Sequence, residues 1–156
     1  MAELGQTQQA LTEWEAASVT SNIYQRARLI EAYARVGRAD QTLAMIDEAL
    51  AGFETSGARL SEAELYRLKG EATMMHEPSA TAEAEACFRK AIEVAKAQSA
   101  KWWELRATTS LARLLAKEGK REEARLMLAE IYNWFTEGFD TADLKDAKAL
   151  LDELSN

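Results

Sequence analysis

The stretch Leu111-Ala-Arg-Leu-Leu-Ala-Lys-Glu-Gly119-Lys-Arg-Glu-Glu-Ala124-Arg-Leu-Met-Leu128-Ala-Glu-Ile131 decides the fold. Two amphipathic runs flank one glycine. Leu115 stands four residues before Gly119, while Ala124, Leu128 and Ile131 stand five, nine and twelve after it. Residues three or four apart share one face of a helix, so each run reads as a helix with an apolar stripe. A small residue followed four later by a large one gives that face a notch and a knob, which suits close packing on the helix before it. Glycine between the runs permits the left-handed residue that ends a helix.

The pattern recurs on both sides of this stretch. Tyr33, Gly37, Thr42, Ile46 and Ala49 keep the same offsets. So do Gly5, Ala10, Trp14 and Ala17 near the start. Ala84, Phe88 and Ala91 repeat the small, large, small spacing behind a longer turn, Glu77-Pro78-Ser79. The only proline is Pro78, and helix-favouring Ala, Leu, Glu, Lys and Arg dominate the 156 residues. The expected class is all-α, a single domain over 1–156. The spacing predicts a lone helix over 7–17. Helix pairs follow over 21–54 (21–36 with 39–54), 61–98 (61–76 with 80–98) and 102–135 (102–118 with 121–135). A last helix is expected over 142–154. Ser61 with Glu64 suggests a capping box, and Asp140 or Thr141 with Asp143 suits the start of the last helix. That helix carries Leu144, Ala147, Leu151 and Leu154 at spacings of three and four, as a cover for the open end of a stack. Trp134 is expected to pack beneath it.

These spacings resemble the tetratricopeptide repeat. Leu29, Tyr33, Gly37, Ile46 and Ala49 match its landmarks, with Thr42 in place of an alanine. Gly70, Ala84, Phe88 and Ala91 match again, as do Leu111, Ala112, Leu115, Gly119, Ala124 and Leu128, with Ile131 departing. The alanines at 17, 49 and 91 give an irregular period, mostly longer than the usual ~34 residues. The resemblance implies a right-handed α-solenoid of antiparallel helix pairs, distorted by lengthened helices. A narrower resemblance rests on Glu64–Glu71, Ala84–Ala91, Trp103–Leu114 and the tail Trp134–Leu154. These are similar to the C-terminal repeat region of bacterial regulators in which a class III adenylate or guanylate cyclase, or a DNA-binding activator, is fused to a signal-transduction ATPase. That likeness implies a C-terminal sensor segment whose partner includes the parent protein's own ATPase or cyclase region. The modules that carry those activities match no residue of this chain.

Composition narrows the partners. The net charge of −7 divides as −3, −2 and −2 over residues 1–60, 61–100 and 101–156. No basic stripe emerges, so nucleic acid is not expected. No apolar run approaches the ~20 residues of a membrane span, and the first residues lack the pattern of a signal peptide, so a cytoplasmic protein without a membrane partner is expected. One cysteine, Cys87, excludes an intrachain disulfide and a cysteine-based zinc site. His76, the only histidine, falls at a helix end and reads as solvent-facing. Neighbouring carboxylates such as Glu83 and Glu85, or Glu122 and Glu123, do not converge on one substrate. The glycines are scattered singly and form no phosphate loop. The expectation is a non-enzyme with no cofactor and no metal.

In stacked helix pairs the first helices line the concave face. The residues expected there are Tyr24, Glu31 and Arg35, then Arg67, Glu71 and Met74, then Arg106, Thr109 and Arg113. Arginines on rigid helices bind carboxylates bidentately, and the interspersed glutamates favour a peptide of mixed charge. Of the consecutive Trp102 and Trp103, one is a candidate partner anchor, since tryptophan is enriched at binding hot spots. The alternative is self-association into a homodimer through Leu11 and Trp14 of the helix over 7–17.

Overall fold

Seven helices and no strand make up the described part of the chain. The computed structural model describes residues 23–56 and 61–156, with side chains from 29 to 52 and from 61 onward. The expected helix over 7–17, with Leu11 and Trp14, lies outside the described residues. The helices are α1 (Ile23–Arg35), α2 (Ala39–Ser56), α3 (Glu62–His76), α4 (Thr81–Ala97), α5 (Lys101–Lys117), α6 (Arg121–Tyr132) and α7 (Ala142–Ser155).

Each helix packs on its neighbours in the chain. In addition α1 touches α3, α3 touches α5 and α5 touches α7. The notch-and-knob residues are buried: Thr42, Ile46 and Ala49 on α2, Ala84, Phe88 and Ala91 on α4, Ala124, Leu128 and Ile131 on α6. The apolar interior is not centred on one point. One cluster runs through α4, α5, α6 and α7, from Phe88 to Leu154. Another joins α1, α2 and α3 through Ile30, Ile46, Ala49, Leu65 and Leu68. Thr42 is fully buried where alanine was expected; its hydroxyl donates to the Arg38 carbonyl oxygen at 2.8 Å, which removes the cost of burying it.

Three turns share one design. At α1–α2, α4–α5 and α5–α6 the chain passes through a positive φ at Gly37, Ser99 and Gly119 (77°, 54° and 82°). In each, two amides fold back onto the end of the helix before them, as when Gly119 N donates to Ala116 O and Lys120 N to Leu115 O. This pairing satisfies carbonyls that the helix end leaves open. Gly70 serves a different need. A Cβ there would stand 2.6 Å from Cε1 of Phe88, so its hydrogen is what lets α3 and α4 approach.

Several local expectations are corrected. Ser61 precedes α3 but makes no side-chain cap, because Glu64 turns inward to arginines instead of back to the Ser61 amide. Thr141 precedes α7, yet its hydroxyl donates to Gly138 O at 2.6 Å rather than to the helix. α6 stops at Tyr132, three residues short of the expected end, in a turn where Trp134 N and Phe135 N reach back to Ile131 O and Tyr132 O. That turn brings Phe135, not Trp134, against the core, and leaves Trp134 57% exposed rather than covered by α7. On α7 the buried residues are Leu144, Ala147, Leu150 and Leu154, with Leu151 half-buried at the edge.

Candidate functional site

The odd-numbered helices share a polar face. Glu64 on α3 takes two hydrogen bonds from Arg67, Nε to Oε2 at 2.9 Å and Nη2 to Oε1 at 2.7 Å. Arg67 Nη1 donates to Glu71 Oε1, and Ser110 Oγ on α5 donates to the same oxygen at 2.9 Å. Arg106 on α5 reaches Glu64 at 3.1 Å, Glu31 on α1 at 3.7 Å and Asp143 on α7 at 3.7 Å. Glu31 also holds Arg35 at 2.8 Å. Arg113 pairs with Asp146 across α5 and α7. One ionic network therefore ties α1, α3, α5 and α7 together.

Arg67 is only 7% exposed, so it sits at the centre of this network rather than at its surface. Burial pulls the pKa of its guanidinium down. The hydrogen bonds and charge of Glu64, with Glu71 and Glu31 behind it, outweigh that and hold it above the ordinary arginine value. The charge is fixed, and every buried side-chain N or O among the described residues has a hydrogen-bond partner. An uncompensated charge at such depth would be costly, and this arrangement leaves none.

Three adjoining clefts lie over the network. A cleft of about 100 Å³ is walled by Arg106, Thr109, Arg113, Asp143 and Asp146. A second, of about 180 Å³, has an apolar floor of Met74, Phe88 and Leu114 under Glu71, Arg113 and Lys117. A third, of about 160 Å³, lies between Glu31, Arg35, Glu71 and Met75.

Of the residues expected on this face, Glu31, Arg35, Arg67, Glu71, Met74, Arg106, Thr109 and Arg113 all line these clefts. The side chain of Tyr24 lies outside the described residues. Their roles divide. Arg67 is committed to the network, and Thr109 is buried with its hydroxyl on Leu105 O at 2.8 Å. Arg35, Arg113 and Lys117 present charge to solvent. Reading the sequence alone missed Glu64, Ser110, Asp143, Asp146 and Lys117. The spacing of Glu64, Arg67 and Glu71 at three and four residues carried a signal for a helix-face ion pair, but Asp146 and Ser110 join through tertiary contacts that no local spacing shows.

Trp102 and Trp103 part as adjacent helix residues must. Trp103 packs with Ala63, Val94 and Ala95 beneath the Arg106 guanidinium, 5.6 Å from the ring centre. Trp102 is the exposed one, at 36%. His76 sits at the end of α3 with Nδ1 2.7 Å from Asp40. Cys87 is half-buried, and burial pushes its thiol pKa up, the opposite of what a nucleophile needs. Among the described residues no group of His, Cys, Asp and Glu side chains is arranged to hold a metal ion, and no helix is long and apolar enough to cross a membrane.

No known family profile matches the chain, and no curated protein proves similar to it.

Proposed function

We propose that the chain is a non-catalytic protein-interaction scaffold: a right-handed α-solenoid of antiparallel helix pairs, tetratricopeptide-like, that binds a peptide or partner domain along the face of α1, α3, α5 and α7. The contacts of the helices support this reading. Stacked repeats touch only their neighbours, and here each helix packs on the next while the odd helices form a row of their own. The core divides in the same way, into clusters between successive helices.

The single observation that carries the binding role is the row of three clefts over that odd-helix face. They are floored by a rigid ionic network and edged by Arg35, Arg113 and Lys117. Fixed cations beside an apolar floor suit a segment of mixed sequence, with a carboxylate next to an apolar side chain. The likeness of the tail Trp134–Leu154 to bacterial cyclase–ATPase regulators supports a place as the C-terminal regulatory segment of a signalling protein, where the ligand would include the parent's own ATPase or cyclase region. A segment of that kind works in the cytoplasm.

The test is selection of linear peptides from a displayed random library on the intact chain, followed by affinity measurements. Arg67 and Arg106 are poor targets, since removing them dismantles the network. Arg113→Ala with Lys117→Ala is the informative variant. It should weaken the selected peptides at least tenfold while costing less than about 1 kcal/mol of stability, since the Arg113–Asp146 pair is exposed. Affinity unchanged by that pair would reject the groove as the binding face.

A further inference from the structure

Away from the groove, the start of α5 and the loop between α6 and α7 build an aromatic cleft of about 830 Å³, lined by Trp102, Trp134, Phe135, Thr136, Glu137 and Gly138. Phe135 stands edge-on to both tryptophans, with ring centres 5.7 Å from Trp102 and 5.2 Å from Trp134 at interplanar angles of 83° and 85°. The two indoles are thus held against one wedge. Phe139, the residue after Gly138 and also exposed, packs on Tyr132 with ring centres 5.7 Å apart. Of the five large hydrophobic side chains exposed among the described residues, Trp102 and Trp134 line this cleft.

Charge says what such a surface takes. The negative face of an indole attracts a cation, most strongly for tryptophan. The protein itself shows this on the spot: Lys101 Nζ lies 5.8 Å from the centre of the Trp134 ring while its charge is balanced by Glu104 at 2.8 Å. Trp134 nevertheless keeps 57% of its surface in solvent, so the lysine does not fill the cleft. Glu137 lines the cleft and Asp140 follows in the same loop. Neither makes a hydrogen bond or ion pair among the described residues, whereas the carboxylates of the groove are paired. An aromatic cleft with an unmatched carboxylate on its wall is complementary to a cation that brings its own planar surface.

We propose that this cleft is a docking site for an arginine side chain in a basic segment of a partner protein. The guanidinium stacks on the open indole surface of Trp134 and Trp102 and pairs with Glu137. Arginine fits better than lysine because its planar, weakly hydrated group stacks and forks at once, while an ammonium is a hydrated point charge. This site is separate from the groove in both position and chemistry.

The probe is an acetylated decapeptide of alternating arginine and glycine, titrated into the full chain by calorimetry and by tryptophan emission. A matched peptide with citrulline for arginine keeps the shape and removes the charge. The arginine peptide should bind and change the emission, and the citrulline peptide should bind at least tenfold more weakly. Trp134→Ala should weaken the arginine peptide at least tenfold, and Glu137→Gln several-fold. Trp134 and Glu137 are both exposed, and thermal midpoints equal to that of the unaltered chain confirm the fold. A shifted midpoint for Trp134→Ala leaves Glu137→Gln as the deciding variant. The proposal is overturned if the citrulline peptide binds equally, if Glu137→Gln binds like the unaltered chain, or if the arginine peptide shows no binding at millimolar concentration. Equal binding by a correctly folded Trp134→Ala protein would likewise assign the affinity to diffuse negative charge.

Discussion

Arg67 shows how a residue's place and its role separate. Counting positions on a helix groups it with Glu71 and Arg106, and it lines clefts with both. Counting gives no depth, so it does not reveal that the guanidinium is buried between Glu64 and Glu71 and belongs to the framework. Glu64 is the complementary case. Its distance from Ser61 suggests a capping box, but the pull of Arg67 and Arg106 outweighs a local cap hydrogen bond. Arg67→Ala should therefore destabilise the chain by about 3–5 kcal/mol, because it removes one partner of the buried ion pair with Glu64 and leaves that carboxylate to Arg106 alone. Urea denaturation reads this directly, and a loss under 1 kcal/mol would mean that the network is not formed. Gly70→Ala drives a methyl into the Phe88 ring. It should cost about 1–3 kcal/mol, as overpacking in a core does, and Phe88→Leu in the same chain should recover part of that loss. A recovery of this kind separates the clash from any effect of alanine on the helix itself.

At the scale of the element, the apolar stripe and the turn glycines are local features, and helix ends such as His76, Ala97 and Lys117 are set by residues near them in the chain. α6 is the exception. Its end is set by Phe135 seating against the core beside Trp102, a contact between distant parts of the chain. The shared turn geometry is equally instructive. Gly37 and Gly119 announce themselves, but Ser99 holds the same left-handed conformation without a glycine to mark it. An L-residue there pays a steric penalty of about 1–2 kcal/mol, partly offset by a stiffer unfolded chain. Ser99→Gly should thus raise stability by about 0.5–1 kcal/mol, and Gly119→Ala should lower it by about 1 kcal/mol. The Cβ of the second variant meets nothing within 4 Å, so no packing clash contributes and its effect reports backbone conformation. Thermal midpoints moving in the same direction for both variants would contradict the assignment of one turn design to both sites.

For the whole molecule, the all-α class and the apolar faces of the helices are legible in the sequence, because both follow from local pattern. It does not show the row of contacts among α1, α3, α5 and α7, nor the ionic network that crosses them, because those join residues far apart in the chain. The two surfaces also differ in character. The groove is charged and internally paired, while the cleft around Trp134 is aromatic, exposed and lined by Glu137, a carboxylate without a partner among the described residues. Two ligands of different chemistry should therefore occupy the chain together. Whether the odd helices form the binding face is read by backbone amide chemical-shift mapping with a library-selected peptide. Peptide addition should perturb amides of α1, α3, α5 and α7, centred on Glu71, Arg113 and Lys117, and leave α2, α4 and α6 in place. Shifts centred instead on the even helices would contradict the account.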